Sequence, residues 1–134
     1  MTADSAPPVM PSDEDPRPPV WVGHIGPHVV DNLDEALGFY VKLGMRVVAE
    51  MPHMAVLELR GGTHLIIQAG EVAPDGSAPF DLMVDDLDAT HDQLTAIGLD
   101  PTTISRGRIH DAFTVTDPTG WIVTFNSSHV SGPV

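Results

Sequence analysis

Val30-Asp-Asn-Leu-Asp-Glu-Ala-Leu-Gly-Phe-Tyr-Val-Lys-Leu-Gly44 and Val84-Asp-Asp-Leu-Asp-Ala-Thr-His-Asp-Gln-Leu-Thr-Ala-Ile-Gly98 are one pattern written twice, aligning without a gap at an offset of 54 (Val84 against Val30). Each reads as a strand end, an acidic turn, a helix and a terminating glycine. Asn32 and Asp86 have side-chain oxygens that can accept the free amides of a first helical turn. Asp34, Glu35 and Asp88 put negative charge at the positive end of each helix dipole. Leu33, Ala36, Leu37, Tyr40 and Leu43 recur at helical spacing, as do Leu87, Leu94 and Ile97. Gly44 and Gly98 suit the left-handed position just past a helix. Two such signals in phase predict an internal repeat.

Three strand-like runs follow the first helix: Met45 to Met51, Met54 to Arg60 and Thr63 to Ala69, the last two joined at Gly61-Gly62. A double glycine suits a tight hairpin, where both turn positions can require positive φ. In the second half the run Pro101 to Ser105 has little strand character. Ile109 to Thr116 and Trp121 to Ser127 have more, and Asp117-Pro118-Thr119-Gly120 is a turn between them. Gly70 to Ala78 links the halves. The expectation is an α+β domain of two βαβββ modules, at about 20–70 and 77–128, within a single domain over 20–134.

The segment 1–19 stands apart. Six prolines alternate with Asp4, Asp13, Glu14 and Asp15, and almost nothing there can be buried, so a disordered acidic tail is expected. The chain carries 19 acidic against 6 basic residues, a formal charge of −13. Such a surface repels phosphate backbones and anionic membranes and favours a cationic ligand. No cysteine is present, which removes disulfides, thiolate nucleophiles and cysteine metal sites together. No apolar run approaches the ~18 residues of a membrane helix, and no basic-then-apolar leader opens the chain, so a cytoplasmic protein is expected.

The motifs Val30 to Tyr40 with Leu43-Gly44, Val84-Asp-Asp-Leu87 and Asp117-Pro118-Thr119-Gly120 resemble the vicinal oxygen chelate superfamily, over roughly Val20 to Asn126. That superfamily includes glyoxalase I, bleomycin-resistance proteins, fosfomycin-resistance transferases and extradiol dioxygenases. The resemblance implies a glyoxalase-like cupped mixed sheet with the helices outside, and a homodimer around small-molecule ligands. It does not choose a reaction, because the superfamily hosts many chemistries on one scaffold.

Strand alternation assigns faces. Val123 and Phe125, Phe113 and Val115, Leu65 and Ile67, and Phe80, Leu82 and Val84 go to the core. Opposite them, His64, Ile66 and Gln68, Asp81 and Met83, His110, Ala112 and Thr114, and Ile122, Thr124 and Asn126 face the cup. The first strand has two registers. Counted back from Val30, the repeat puts His28 under the helix, where an unpaired imidazole is costly. A bulge just before the Asp31-Asn32 turn instead places His24 and His28 in the cup, and that register is preferred here. The expected ligand-binding set is therefore His24, His28, His64, Gln68, Met83, Thr114, Thr124 and Asn126.

Metal-dependent relatives draw ligands from the starts of both opening strands, late in the hairpin strand and in the last strand. By resemblance those positions are His24 or Ile25, Ile66, Pro79 and Thr124. Isoleucine and proline donate nothing to a metal and a threonine hydroxyl is a poor donor, so the usual divalent site is expected to be lost and no cofactor is required. The alternative is a displaced site for zinc, nickel or iron on His24, His64 and His110, serving a lyase, isomerase or dioxygenase-like enzyme. Asp81 and His110 are the candidates for a catalytic base and its partner. His53, His91 and His129 read as surface residues. Ser127-Ser128-His129 shows no oxyanion feature.

Overall fold

A computed structural model describes residues 12–128. The repeat is realised where it was read. Helix α1 spans Leu33–Lys42, capped by Asn32, whose Oδ1 accepts the Glu35 amide at 3.0 Å. Helix α2 spans Leu87–Ala96, capped by Asp86, whose Oδ1 accepts the Ala89 amide at 2.9 Å. Gly44 (φ 110°) and Gly98 (φ 84°) end them in the left-handed region that glycine enters without a Cβ penalty.

In the first module β1 (His24–Val30), β2 (Arg46–Glu50), β3 (Met54–Glu58) and β4 (His64–Ala69) form a mixed sheet of order β1-β4-β3-β2, with β1 parallel to β4. The turn between β3 and β4 holds Gly61 and Gly62 at φ 79° and 85°, as the double glycine predicts. In the second module β5 (Ser77–Val84), β6 (Ala112–Thr116) and β7 (Ile122–Ser127) form a three-stranded sheet of order β5-β7-β6, with β5 parallel to β7. The fold class is the expected one, but the sheet is divided in two: β1 and β5 approach each other without pairing.

The second module differs from the expectation at one edge. The segment from Pro101 to Ser105 contributes a single bridge, Ser105 to Ala112, and an amide bond from Thr102 to the Thr114 carbonyl at 2.9 Å. Strand β6 also starts at Ala112 rather than Ile109. Arg106 reaches both Asp88 and Asp111, which turns the intervening chain away from the sheet and leaves Ile109 72% exposed. Ser12 to Pro19 form no helix or strand; the rest of the proposed tail, residues 1–11, lies outside the described residues.

Both modules share one core. It joins Val30, Ala36, Tyr40, Leu57, Leu65 and Ile67 to Leu82, Leu94, Phe113, Val123 and Phe125, all buried. Each large side chain removed from water contributes about 1.5–3 kcal/mol. Among the described residues no helix is long and apolar enough to cross a membrane.

At the seam between the modules lies a buried polar group. The Tyr40 hydroxyl donates to Asp117 Oδ2 at 2.7 Å, and His28 Nε2 lies 3.0 Å from the same oxygen and 2.9 Å from the hydroxyl. Asp117 Oδ1 accepts the amides of Thr119, Gly120 and Trp121, so the carboxylate builds its own turn while holding the other module. The same turn binds the end of β1 through Trp121 Nε1 to the Val29 carbonyl (2.9 Å) and Thr119 Oγ1 to Asp31 Oδ1 (3.0 Å).

Burial alone pushes the Asp117 carboxyl up. The hydrogen bonds from His28, Tyr40 and the Trp121 and Gly120 amides more than reverse this, and the net displacement is below the usual carboxylate range. Burial, then the bond to Asp117, drives the Tyr40 phenol up. A carboxyl depressed in the folded state contributes stability in full above its unfolded value of about 3.9, and loses it as pH falls through the folded value. Urea titrations of wild type and Asp117→Asn from pH 7 to pH 3 check this. The variant is expected to be less stable by about 1–3 kcal/mol at pH 7, with the gap narrowing below about pH 4.

Candidate functional site

The faces of the two sheets turned away from the buried core carry most of the predicted site residues. Register places them in rows. On the first sheet His24, His64, Glu58 and Arg46 are successive neighbours across β1, β4, β3 and β2, and Arg46 is ion-paired to Glu58. Beyond that polar row come Ile66 beside Val56, then Gln68 beside Met54 and Val29. On the second sheet Asp81, Thr124 and Thr114 form one row and Met83, Asn126 and Ala112 the next. Thr102 extends the threonine row, with its hydroxyl 3.4 Å from that of Thr114. Asn126 Nδ2 donates to Asp81 Oδ2 at 2.9 Å.

His28 is not on this surface. It is 1% exposed and points into the seam, packed edge-on against Tyr40 and Phe80 and tilted against Trp121. The expected bulge exists, but it falls between Ile25 and His28 rather than after His28. It therefore turns His24 onto the open face and leaves His28 in the core register. Gly26 lies inside the bulge at φ 109°, where a Cβ would stand 2.5 Å from the Ile66 carbonyl oxygen.

The cost that argued against burying this imidazole is met by partners 12 and 89 residues away. The Nε2–H tautomer fits these contacts, donating to Asp117 and leaving the partnerless Nδ1 as a lone pair rather than a stranded donor. The residues needed to foresee this were in view: a tyrosine on the core stripe of α1 and an aspartate opening a turn. Nothing in strand periodicity connects them.

The other histidines divide. His24 is exposed and His64 half-buried, both on the first sheet, whereas His110 sits in the loop before β6 of the second module and bonds the Ser127 carbonyl oxygen through Nδ1 at 2.7 Å. Among the described residues no three His, Asp or Glu side chains are arranged to hold a metal. The proposed trio of His24, His64 and His110 is thus not assembled within the chain, and Asp81 bonds Asn126 rather than His110. At the superfamily's own metal positions, Ile66 and Pro79 bear no donor atoms, so the residues present do not fit that ion. His91, expected on an exposed face, is half-buried; its Nε2 bonds the Thr102 carbonyl at 2.8 Å and its ring packs on Phe113. His53 is exposed as expected, and His129 lies outside the described residues.

A cleft of about 750 Å³ runs along the free edge of β5. Ile25, Leu43, Met45 and Leu59 of the first module form one wall, and Pro79 to Val84 of β5 with the following Asp85 the other. Arg60 closes its rim with a two-pronged pair to Asp85, at 2.8 and 3.0 Å. Asp81 and Met83 are the predicted site residues that line it. His64, Gln68, Thr114, Thr124 and Asn126 stand on the adjoining open faces instead.

The family model for the Glyoxalase/Bleomycin resistance protein/Dioxygenase superfamily matches residues 21–125, and the chain belongs to that superfamily. Among solved structures, it is similar to a lactoylglutathione lyase from Agrobacterium tumefaciens. That match has 19% identity and a TM-score of 0.69, and covers 84% of this chain and 96% of the other. A glyoxalase/bleomycin resistance protein/dioxygenase from Alicyclobacillus acidocaldarius gives 23% identity, TM-score 0.68 and coverage of 85% and 96%. TioX from Micromonospora sp. ML1 gives 17%, 0.66, 81% and 98%. At these identities the likeness is one of fold. No curated protein matches the sequence.

The two kinds of histidine should separate on mutation. His28→Ala leaves a cavity and strips two bonds from the seam, so a loss of about 2–4 kcal/mol is expected in urea denaturation. His64→Ala, on the open face, should shift stability by no more than about 0.5 kcal/mol.

Proposed function

We propose that the protein binds a small molecule on the open sheet faces, without the superfamily's four-ligand metal site. The observation that carries this reading is the make-up of the two open sheet faces. His24, His64, Gln68, Thr114, Thr124 and Asn126 offer hydrogen-bond donors and acceptors around Ile66, Met83 and Ile122, the mixture of apolar surface and a few placed polar groups that ligand sites use. Nothing else in the fold demands the exposure of Met83 (54%) or Ile122 (37%).

The reading includes a homodimer. Among the described residues, β1 and β5 end their sheets with unpaired edges, and the open faces carry no covering layer. A second copy laid against those edges would cover the apolar surface and roof the faces into closed cups, removing the hazard of exposed edge strands.

Two measurements test this. A thermal-shift screen over metabolites and antibiotics, bleomycin included, is expected to yield at least one compound that raises the melting temperature by several degrees. His64→Ala and Thr124→Val should each weaken its binding about tenfold, the scale of one lost hydrogen bond to a polar group. Elemental analysis of protein prepared without a metal-affinity tag should find well under one transition metal per chain. A full equivalent, lost in both His64→Ala and His110→Ala, would replace this reading with the displaced-site enzyme. A screen with no shift at all would remove it altogether.

A further inference from the structure

We infer that Asp81 holds the positively charged end of the ligand, so that the protein selects organic cations carrying an apolar body; this rests on the small-molecule reading above and names its ligand class. Asp81 is exposed on β5, in the wall of the cleft along that strand's edge. Asn126 donates an amide to one of its oxygens at 2.9 Å, which orients the carboxylate and leaves the second oxygen available. Among the described residues no lysine, arginine or histidine pairs with it. The contrast with its neighbours is direct. Asp85, in the same cleft wall, is neutralised by Arg60, and Glu58 on the other sheet by Arg46.

The surroundings suit a cation with an apolar body. Ile25, Leu59, Phe80 and Met83 line the same cleft and would take an aliphatic or aromatic group. Thr124, beside Asp81 in register, adds a hydroxyl that can accept from an ammonium. The overall charge of −13 raises the local concentration of cations and disfavours anions. An exposed carboxylate is screened by water, so the contribution expected is selectivity of about an order of magnitude rather than tight binding.

Three probes of one shape test the assignment by calorimetric titration of the full chain: phenethylammonium, neutral 2-phenylethanol and anionic 3-phenylpropanoate. The ammonium is expected to bind about tenfold more tightly than the alcohol, and the carboxylate more weakly than either. Raising salt from about 50 to about 500 mM should shrink the ammonium's advantage. Asp81→Asn, an isosteric change, should abolish that advantage while leaving the melting temperature unchanged. Asp92→Asn, the same charge change on exposed α2, should preserve it. Equal affinity for ammonium and alcohol, or an equal loss in Asp92→Asn, overturns the assignment to Asp81 while the binding reading stands. Failure of all three probes overturns the inference, and the broad screen above then decides the binding reading separately.

Discussion

The architecture turns on the contact between Asp117 and the pair His28 and Tyr40. A carboxylate, a phenol and an imidazole are all removed from water, a step that costs several kcal/mol unless each finds a partner. Here one oxygen of Asp117 takes both side chains and the other takes three backbone amides. Because His28 and Tyr40 come from one module and Asp117 from the other, the bonds fix how the two halves lie against each other. The core is continuous across that seam for the same reason. Phe80 and Trp121 pack directly on the imidazole, so apolar burial and polar satisfaction occur at one place.

That arrangement determines what remains for binding. With the inner sheet faces committed to the core, the outer faces are the surfaces on which the proposed ligand would lie. They carry hydroxyls, amides, imidazoles and one carboxylate without a cationic partner, set among isoleucine and methionine. Ile66 and Pro79 supply no electron pairs where metal-dependent members of the superfamily have ligands. On the proposed reading, this surface binds through hydrogen bonds, apolar contact and charge. The cleft beside β5 links the two kinds of surface, since both faces of that edge strand contribute to its wall.

Legibility followed the range of the interaction. Helix caps, terminal glycines, the Gly61-Gly62 turn and the faces of β4, β5, β6 and β7 are local features, each legible from neighbours a few residues apart. The start of β6 was misjudged because Arg106, bridging Asp88 and Asp111, redirects the chain over distances that periodicity does not sense. His28 was misplaced on a sound principle applied without its partners. An unpaired buried imidazole is costly, but this one is paired. His64, Gln68, Met83, Thr114, Thr124 and Asn126 lie on the faces that alternation assigns them, because period two survives any packing of the sheet, whereas His24 reaches the open face only through the β1 bulge.

The repeat, most of the elements, the superfamily resemblance and the outward side chains of β4 to β7 follow from the sequence alone, because they depend on spacings of two to four residues or on short motifs. Only the tertiary structure decided where the β1 bulge falls, which polar groups close the seam, and that His24, His64 and His110 form no metal-holding group among the described residues. Those depend on contacts across as many as 92 residues. Such contacts are set by how two separately formed layers meet, and no local pattern encodes that meeting.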